Sequence, residues 1–245
     1  MDVLKTLFPE DCFNNDIIIS KNLFVHTNFI EMKNFLKIHN NTLTRILIDN
    51  IDNLEYQADN NLRLIHVICC YSTPKMIKYI IDKGVELECK DNCGGRPIHY
   101  ICRYSTPEMI KYIIDKGVDL ECETNDRWRP IHFICRHSTP EMIKYIIDQG
   151  VDLECENNNK LRPIHYICHY STPEMIKYFV DYDVDLNIKN NENKLLIDYI
   201  KNDEIKGYVH IHMIYQSYGC NDSYMDGFKT GLKKLYNNPT KNSRK

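Results

Sequence analysis

The chain's 245 residues would accommodate one or two globular domains, and its charged residues, 27% of the total, nearly balance at a net charge of −3. Affinity for nucleic acid comes mainly from phosphate neutralisation, so a net acidic chain without a continuous basic face is not expected to bind it. No stretch approaches the roughly 18 consecutive apolar residues of a membrane span, and the opening residues lack the basic flank and apolar run of a secretory signal. The chain therefore reads as soluble, intracellular and cytoplasmic, with no membrane partner.

In chain order, residues 1–24 carry no regular pattern and are expected to pack as a capping strand or helix. Residues 25–57 are a degenerate copy of the units after them. Thr42 to Asp49 and Leu54-Glu55 align with Lys75 to Asp82 and Leu87-Glu88, each shifted by 33 positions. The unit then recurs nearly unaltered over 58–90, 91–123, 124–156 and 157–189. His66, His99, His132 and His165 are 33 apart, as are Pro74, Pro107, Pro140 and Pro173. Such a period means a stacked array, because one unit cannot bury its own apolar face without a neighbour. Residues 190–219 form a degenerate last unit in which Asp198 replaces the histidine. Its first helix spans Lys194 to Ile200 and its second runs from about Asp203 to Tyr215. Residues 220–245 are a basic tail. From Lys229 onward it holds Lys229, Lys233, Lys234, Lys241, Arg244 and Lys245 and no acidic residue, and it reads as a solvated end rather than a tether or import signal.

Within a unit, Arg96-Pro97-Ile98-His99 opens a helix with proline where a missing N–H costs nothing. Ile98, Ile101 and Cys102 then fall on one stripe. Ser105-Thr106-Pro107-Glu108 starts a second helix, with Ser105 and Glu108 spaced as a capping box. Met109, Ile110, Ile113 and Ile114 make its inner face, Glu108, Lys111 and Asp115 stay wet, and Gly117 ends it in left-handed geometry. An extended turn leads to the next pair.

Two helices and a projecting turn in each period resemble the ankyrin repeat. Arg96-Pro97-Ile98-His99 is similar to that family's Thr-Pro-Leu-His, Ile101-Cys102 to its Ala-Ala pair, and Lys116-Gly117-Val118-Asp119-Leu120 to its Gly-Ala-Asp-Val-Asn stretch. The match extends over roughly residues 58 to 189. Arg63, Arg96, Arg129 and Arg162 stand where the family has threonine, so its hydroxyl contact is not expected here. The resemblance implies an all-α ankyrin-repeat solenoid. Near-identical units rich in Ile, Asn, Lys and Tyr also resemble the ankyrin-repeat proteins of giant DNA viruses such as the mimiviruses. At the N-terminus, Leu7 to Glu10 resembles the start of an F-box and Phe8 to Ser20 the opening of a BTB domain, but neither domain fits in so short a segment.

Seven of the eleven cysteines fall in two columns, Cys69, Cys102, Cys135 and Cys168 in one and Cys89, Cys122 and Cys155 in the other. Stacked helices lie about 8 to 10 Å apart, too far for a disulfide or shared zinc, so these cysteines are expected to be reduced, buried fillers. The histidine column has the same spacing, and the resemblance implies that it bonds backbone groups of the turns. His210 and His212, two apart, would point in different directions on a helix. No phosphate loop, nucleophile elbow or metalloprotease motif occurs, and near-identical units offer no unique constellation for catalysis. No enzyme activity, metal or cofactor is expected.

The positions that vary against this constant frame are informative. In ankyrin arrays the residues after the small pair and the turn tips line a concave face that grips partners. On the helices these are Cys70 and Tyr71, Arg103 and Tyr104, Arg136 and His137, and His169 and Tyr170. On the turns they are Asn92, Cys93 and Gly95, then Asn125, Asp126 and Trp128, then Asn158, Asn159 and Leu161. Tyr, Trp and Arg dominate interface hot spots. Trp128, the only tryptophan, serves equally as a stiffener of adjacent turns or as an anchor for a partner. The chain is expected to be a non-enzymatic, monomeric scaffold that binds a partner protein, of a host cell if it is viral. The alternative is a substrate-recruiting adaptor of a host ubiquitin ligase, and a zinc-dependent enzyme is a third reading.

Overall fold

The computed structural model describes residue 36, residues 41–50, 53–55 and 57, residues 61–182 and residues 184–218. The cap expected over residues 1–24 and the tail expected over 220–245 lie outside the described residues. So does the first half of the degenerate copy from residue 25, apart from the buried Leu36. Among the described residues the chain is all α. The first helix described over its whole length, α1, is Asn41–Asn50. Four pairs follow: α2 (Leu64–Tyr71) with α3 (Pro74–Asp82), α4 (Pro97–Tyr104) with α5 (Pro107–Ile114), α6 (Pro130–His137) with α7 (Pro140–Asp148), and α8 (Pro163–Tyr170) with α9 (Pro173–Val180). A 3₁₀ turn, Leu196–Tyr199, precedes α10 (Asp203–Tyr218), the last helix among the described residues.

The stripes read from the sequence are the interior. Ile98, Ile101 and Cys102 of α4 and their equivalents at 131, 134, 135, 164, 167 and 168 are at most 5% exposed. Each such aliphatic side chain contributes about 1.5–3 kcal/mol on burial. The first helices stack in order, α2 on α4 on α6 on α8, with the second helices packed behind them. Ile114, expected on the inner face of α5, is only half-buried. Gly117 has φ +79 and donates its N–H to the Ile114 carbonyl at 2.8 Å, closing α5 in the left-handed region.

Two local expectations need correction. Ser105 does not cap α5. It terminates α4, donating its N–H to the Ile101 carbonyl at 3.0 Å. Thr106 is the N-cap, with its hydroxyl accepting from the Met109 N–H at 3.4 Å. Proline must occupy N1, where its φ and its missing N–H are tolerated, and this moves the cap to the residue just before it. In the last unit, the helix expected over Lys194 to Ile200 is one 3₁₀ turn. Asn202 caps α10 by accepting from the Ile205 N–H at 3.0 Å. The second helix therefore begins three positions earlier than in the other units, which leaves no length for the first. Asp198 keeps half of the histidine's role, its carboxylate accepting the Leu195 N–H at 2.9 Å.

Candidate functional site

Each turn is bolted to the helix pair by its histidine. His99 Nδ1 accepts the Arg96 N–H at 3.0 Å, which leaves Nε2–H to donate to the Cys122 carbonyl at 3.2 Å. His66 does the same with Arg63 and Cys89, while His132 accepts from Arg129 and donates to Leu161. Burial, the main cause, pushes His99, His132 and His165 down to about 4, so these rings are neutral struts. His165 lacks the second link: its Nε2 is buried without a partner among the described residues, where the next unit departs from the pattern.

A second bolt orders the turn tips. Asp91 accepts from the N–H groups of Cys93 and Gly95 at 2.8 and 2.7 Å and from the Tyr100 hydroxyl. Asn157 accepts from Asn159 and Leu161 and donates to the Tyr166 hydroxyl at 2.9 Å, and Asn190 repeats the arrangement with Tyr199. Successive turns are then joined in a ladder. The Asn125 N–H donates to the Cys93 carbonyl and its side-chain amide to the Asn92 carbonyl, both at 2.8 Å. Asn158 donates likewise to Asp126 and Asn125, and Asn191 to Asn159 and Asn158.

Between these rigid turns and the first helices lies a groove of about 380 Å³. Its floor is aromatic, from Tyr100, Phe133 and Trp128, and its helix wall carries Arg103, Arg136 and His137. The Trp128 ring centroid is 4.9 Å from Phe133 and 5.1 Å from Tyr166. The indole therefore both stiffens the stack and lines the groove. The Arg136 guanidinium lies between two rings, 5.8 Å from Trp128 and 5.5 Å from Tyr170, and that of Arg103 lies 5.0 Å from the Tyr104 ring. His137 is held below the usual imidazole range by burial first, then by Arg136 and Arg103.

Of the residues singled out from the sequence, the structure brings Cys93, Gly95, Arg103, Asp126, Trp128, Arg136 and His137 into this one groove. Tyr104 and Tyr170 flank it at 53% and 52% exposed, two of the few large hydrophobic side chains left in solvent among the described residues. His169 is exposed, 4.3 Å from Tyr170 by ring centroids, and Tyr71 is half-buried against the core. Asn125 and Asn158 are exposed, but their amides are occupied by the turn ladder. Asn159 is exposed beyond Asn158, and Leu161 is half-buried, packing inward. Tyr100 and Phe133, which line the groove, were not among the expected residues. The signal available was the column Val67, Tyr100, Phe133 and Tyr166, which varies directly after each histidine.

The thiol columns are chemically quiet. Burial pushes Cys122 and Cys155 up to about 12 and raises Cys69, Cys102 and Cys135 well above the usual thiol range, so they are protonated at neutral pH. Among the described residues, no group of three or more His, Cys, Asp or Glu is placed to hold a metal ion, and no helix is long and apolar enough to cross a membrane.

Stacked helix pairs, histidine-bolted turns and a groove along one side define an all-α repeat solenoid. The family model for ankyrin repeats matches residues 35–124, 65–157, 98–190 and 131–207, together more than half of the sequence. The chain belongs to the ankyrin-repeat family, a fold that serves generally as a protein–protein interaction module and is typically non-catalytic. No curated protein matches the chain.

Proposed function

We propose that the protein binds a partner protein through the concave face of the array, using the groove between the turns and the first helices. The observation that carries this is the convergence of divergent residues. Asp126, Trp128 and His137 differ from their counterparts in both neighbouring units, and Arg103 and Arg136, alike in adjacent units, stand in a column that reads Cys70 and His169 on either side; all five line one groove, while the frame around them barely changes. Such a site is preorganised: the turn ladder and the aromatic stack hold the side chains before the encounter, so less ordering entropy opposes association. The units are taken as 25–57, 58–90, 91–123, 124–156, 157–189 and 190–219, and the protein as a monomer acting inside a cell. Near-identical units and the Ile, Asn, Lys and Tyr richness support a source among the giant DNA viruses. The adaptor reading rests on residues 1–24 and on the region beyond Tyr215, almost all outside the described residues.

The test is a quantitative pull-down with the full chain against Arg136→Gln and Trp128→Ala. Partners of this face should be retained by the native protein and depleted at least five-fold by both variants, with unchanged helical circular dichroism. A partner set indifferent to both substitutions overturns the proposal.

A further inference from the structure

Six of the eight described arginines are neutralised within the fold. Arg45 pairs with Asp49, Arg63 with Glu55, Arg127 with Glu123, and Arg96, Arg129 and Arg162 each with a glutamate on the preceding turn and an aspartate on the following one. The exceptions are Arg103 and Arg136. Both lie on first helices at equivalent positions of adjacent units, both are exposed, and both line the groove. Among the described residues neither meets a carboxylate in an ion pair. Instead their guanidinium groups lie against aromatic rings, which attract the cation but leave its N–H edge unsatisfied. His137 stands beside them, and the one carboxylate lining the groove, that of Asp126, belongs to the turn wall and approaches the Asn158 amide at 3.5 Å.

A positive wall above an aromatic floor, in a chain whose net charge is −3, calls for an anionic ligand with an apolar part. We infer that the groove takes an extended acidic peptide segment of the partner, with Asp or Glu carboxylates on Arg103 and Arg136 and one apolar or aromatic side chain on Trp128, Tyr100 and Phe133. This rests on the concave-face reading and gives its partner a chemistry. Planar guanidinium forks match carboxylates in bidentate geometry. Equivalent positions of neighbouring units are about 10 Å apart, the rise of about three extended residues, so carboxylates three positions apart on a strand-like peptide meet the two arginines. A single-stranded nucleic acid would also find cations and rings here. The groove, however, offers two guanidinium groups facing the Asp126 carboxylate, whereas a polyphosphate chain needs a continuous basic track.

The experiment selects binders of the full chain from a random dodecapeptide display library, then titrates synthetic copies while following the fluorescence of Trp128, the only tryptophan. The expected result is enrichment of Asp and Glu around one aromatic or aliphatic residue, and a shift of Trp128 emission on binding. Affinity should fall at least ten-fold in the Arg103→Gln/Arg136→Gln double variant and weaken in 0.5 M salt. Selected peptides without acidic enrichment, affinity indifferent to the double variant, or failure to recover any binder overturns the inference. So does a thymidine dodecanucleotide that binds in place of the peptides with the same arginine dependence. Neutral peptides that still shift Trp128 emission sink the charge assignment and spare the concave-face reading. Peptides that bind without changing Trp128 emission, and without sensitivity to Tyr104→Ala or Tyr170→Ala, sink both.

Discussion

At the scale of single residues, the histidine column ties the fold to pH. His99, His132 and His165 are pushed to about 4 in the fold against an ordinary 6.5. Between those values the unfolded chain takes up protons that the buried rings refuse. Their stabilisation is therefore complete above pH 6.5 and is lost as pH falls toward 4, at up to about 1.4 kcal/mol per histidine per pH unit. Urea midpoints measured from pH 7.5 to 4.5 should drop steeply across that window. His99→Asn, which can still accept the Arg96 N–H as Asp198 does in the last unit, should flatten the drop while costing about 1–2 kcal/mol at pH 7.5 through the lost link to Cys122. A pH profile unchanged in that variant would show that the histidine does not set it. The turns carry a strain of their own. Positions 61, 94, 127, 160 and 193 share one left-handed conformation, which Gly94 adopts freely and Asn61 and Asn193 tolerate, whereas Arg127 and Lys160 are forced to φ of 58 and 54. Lys160→Gly should raise stability by about 0.5–1 kcal/mol. Gly94→Ala should lower it by more than about 1 kcal/mol, because its Cβ would sit 2.7 Å from Asn125 Oδ1 and 2.8 Å from the Asn125 backbone nitrogen. Equilibrium urea unfolding of both variants checks the pair. The roles of proline, histidine and the closing glycine were legible in the sequence because each acts within a few residues of its own helix. The role of Asn125 and Asn158 was not. Their exposure made them candidates for a partner, yet their bonds run to carbonyls 33 residues back.

Between elements, the arginine that replaces the family's threonine builds what the hydroxyl does not. Arg129 pairs with Glu121, with Glu123 at 2.9 Å and with Asp152 at 3.1 Å, while Glu121 also accepts the Asp152 N–H at 3.0 Å. Arg162 repeats the arrangement with Glu154, Glu156 and Asp185, and Arg96 keeps Glu88 and Asp119 but has Lys90 in place of the third carboxylate, so a spine of alternating charge runs along the turns from one unit to the next. The second helices have their own ladder: Lys78, Lys111 and Lys144 lie 4.8 to 5.0 Å from the rings of Tyr112, Tyr145 and Tyr178 in the following unit. Arg129 is only 19% exposed, so its removal leaves three carboxylates facing one another in a partly shielded site. Arg129→Ala should cost about 1–2 kcal/mol, more than an open surface pair. Arg129→Lys should recover less than half of that, since an ammonium cannot serve several carboxylates in fork geometry. A double-mutant cycle with Glu121→Gln, read by urea midpoints, should show a coupling of about 0.5 kcal/mol or more. Additivity would reduce the spine to screened surface charge. The sequence showed the substitution but not the partners of Arg129, Glu121 and Asp152, which are separated from it by 8 and 23 positions and meet it only once the units stack.

For the molecule as a whole, these contacts are nearly all between neighbours and nearly all repeated, which makes the array modular. Excising residues 124–156 would bring Asn158 against Asn92 and Cys93, whose carbonyls are backbone and therefore equivalent to those of Asn125 and Asp126. Lys111 would meet Tyr178 in place of Tyr145, and Ile164 and Ile167 would pack on Ile98 and Ile101. His99 and Arg96 would keep Cys122 and Asp119, which lie before the cut. The shortened chain should fold with helicity reduced in proportion to its length, and unfold at lower urea by the loss of one unit and one interface. It would lack Trp128, Arg136 and the groove, and should therefore lose any partner held by that face while remaining a folded solenoid. Circular dichroism and urea unfolding read the first outcome and the pull-down reads the second. A chain that fails to fold would mean that the units are not interchangeable and that stability is not carried by nearest neighbours. A folded chain that keeps its partners would move the binding site off the groove.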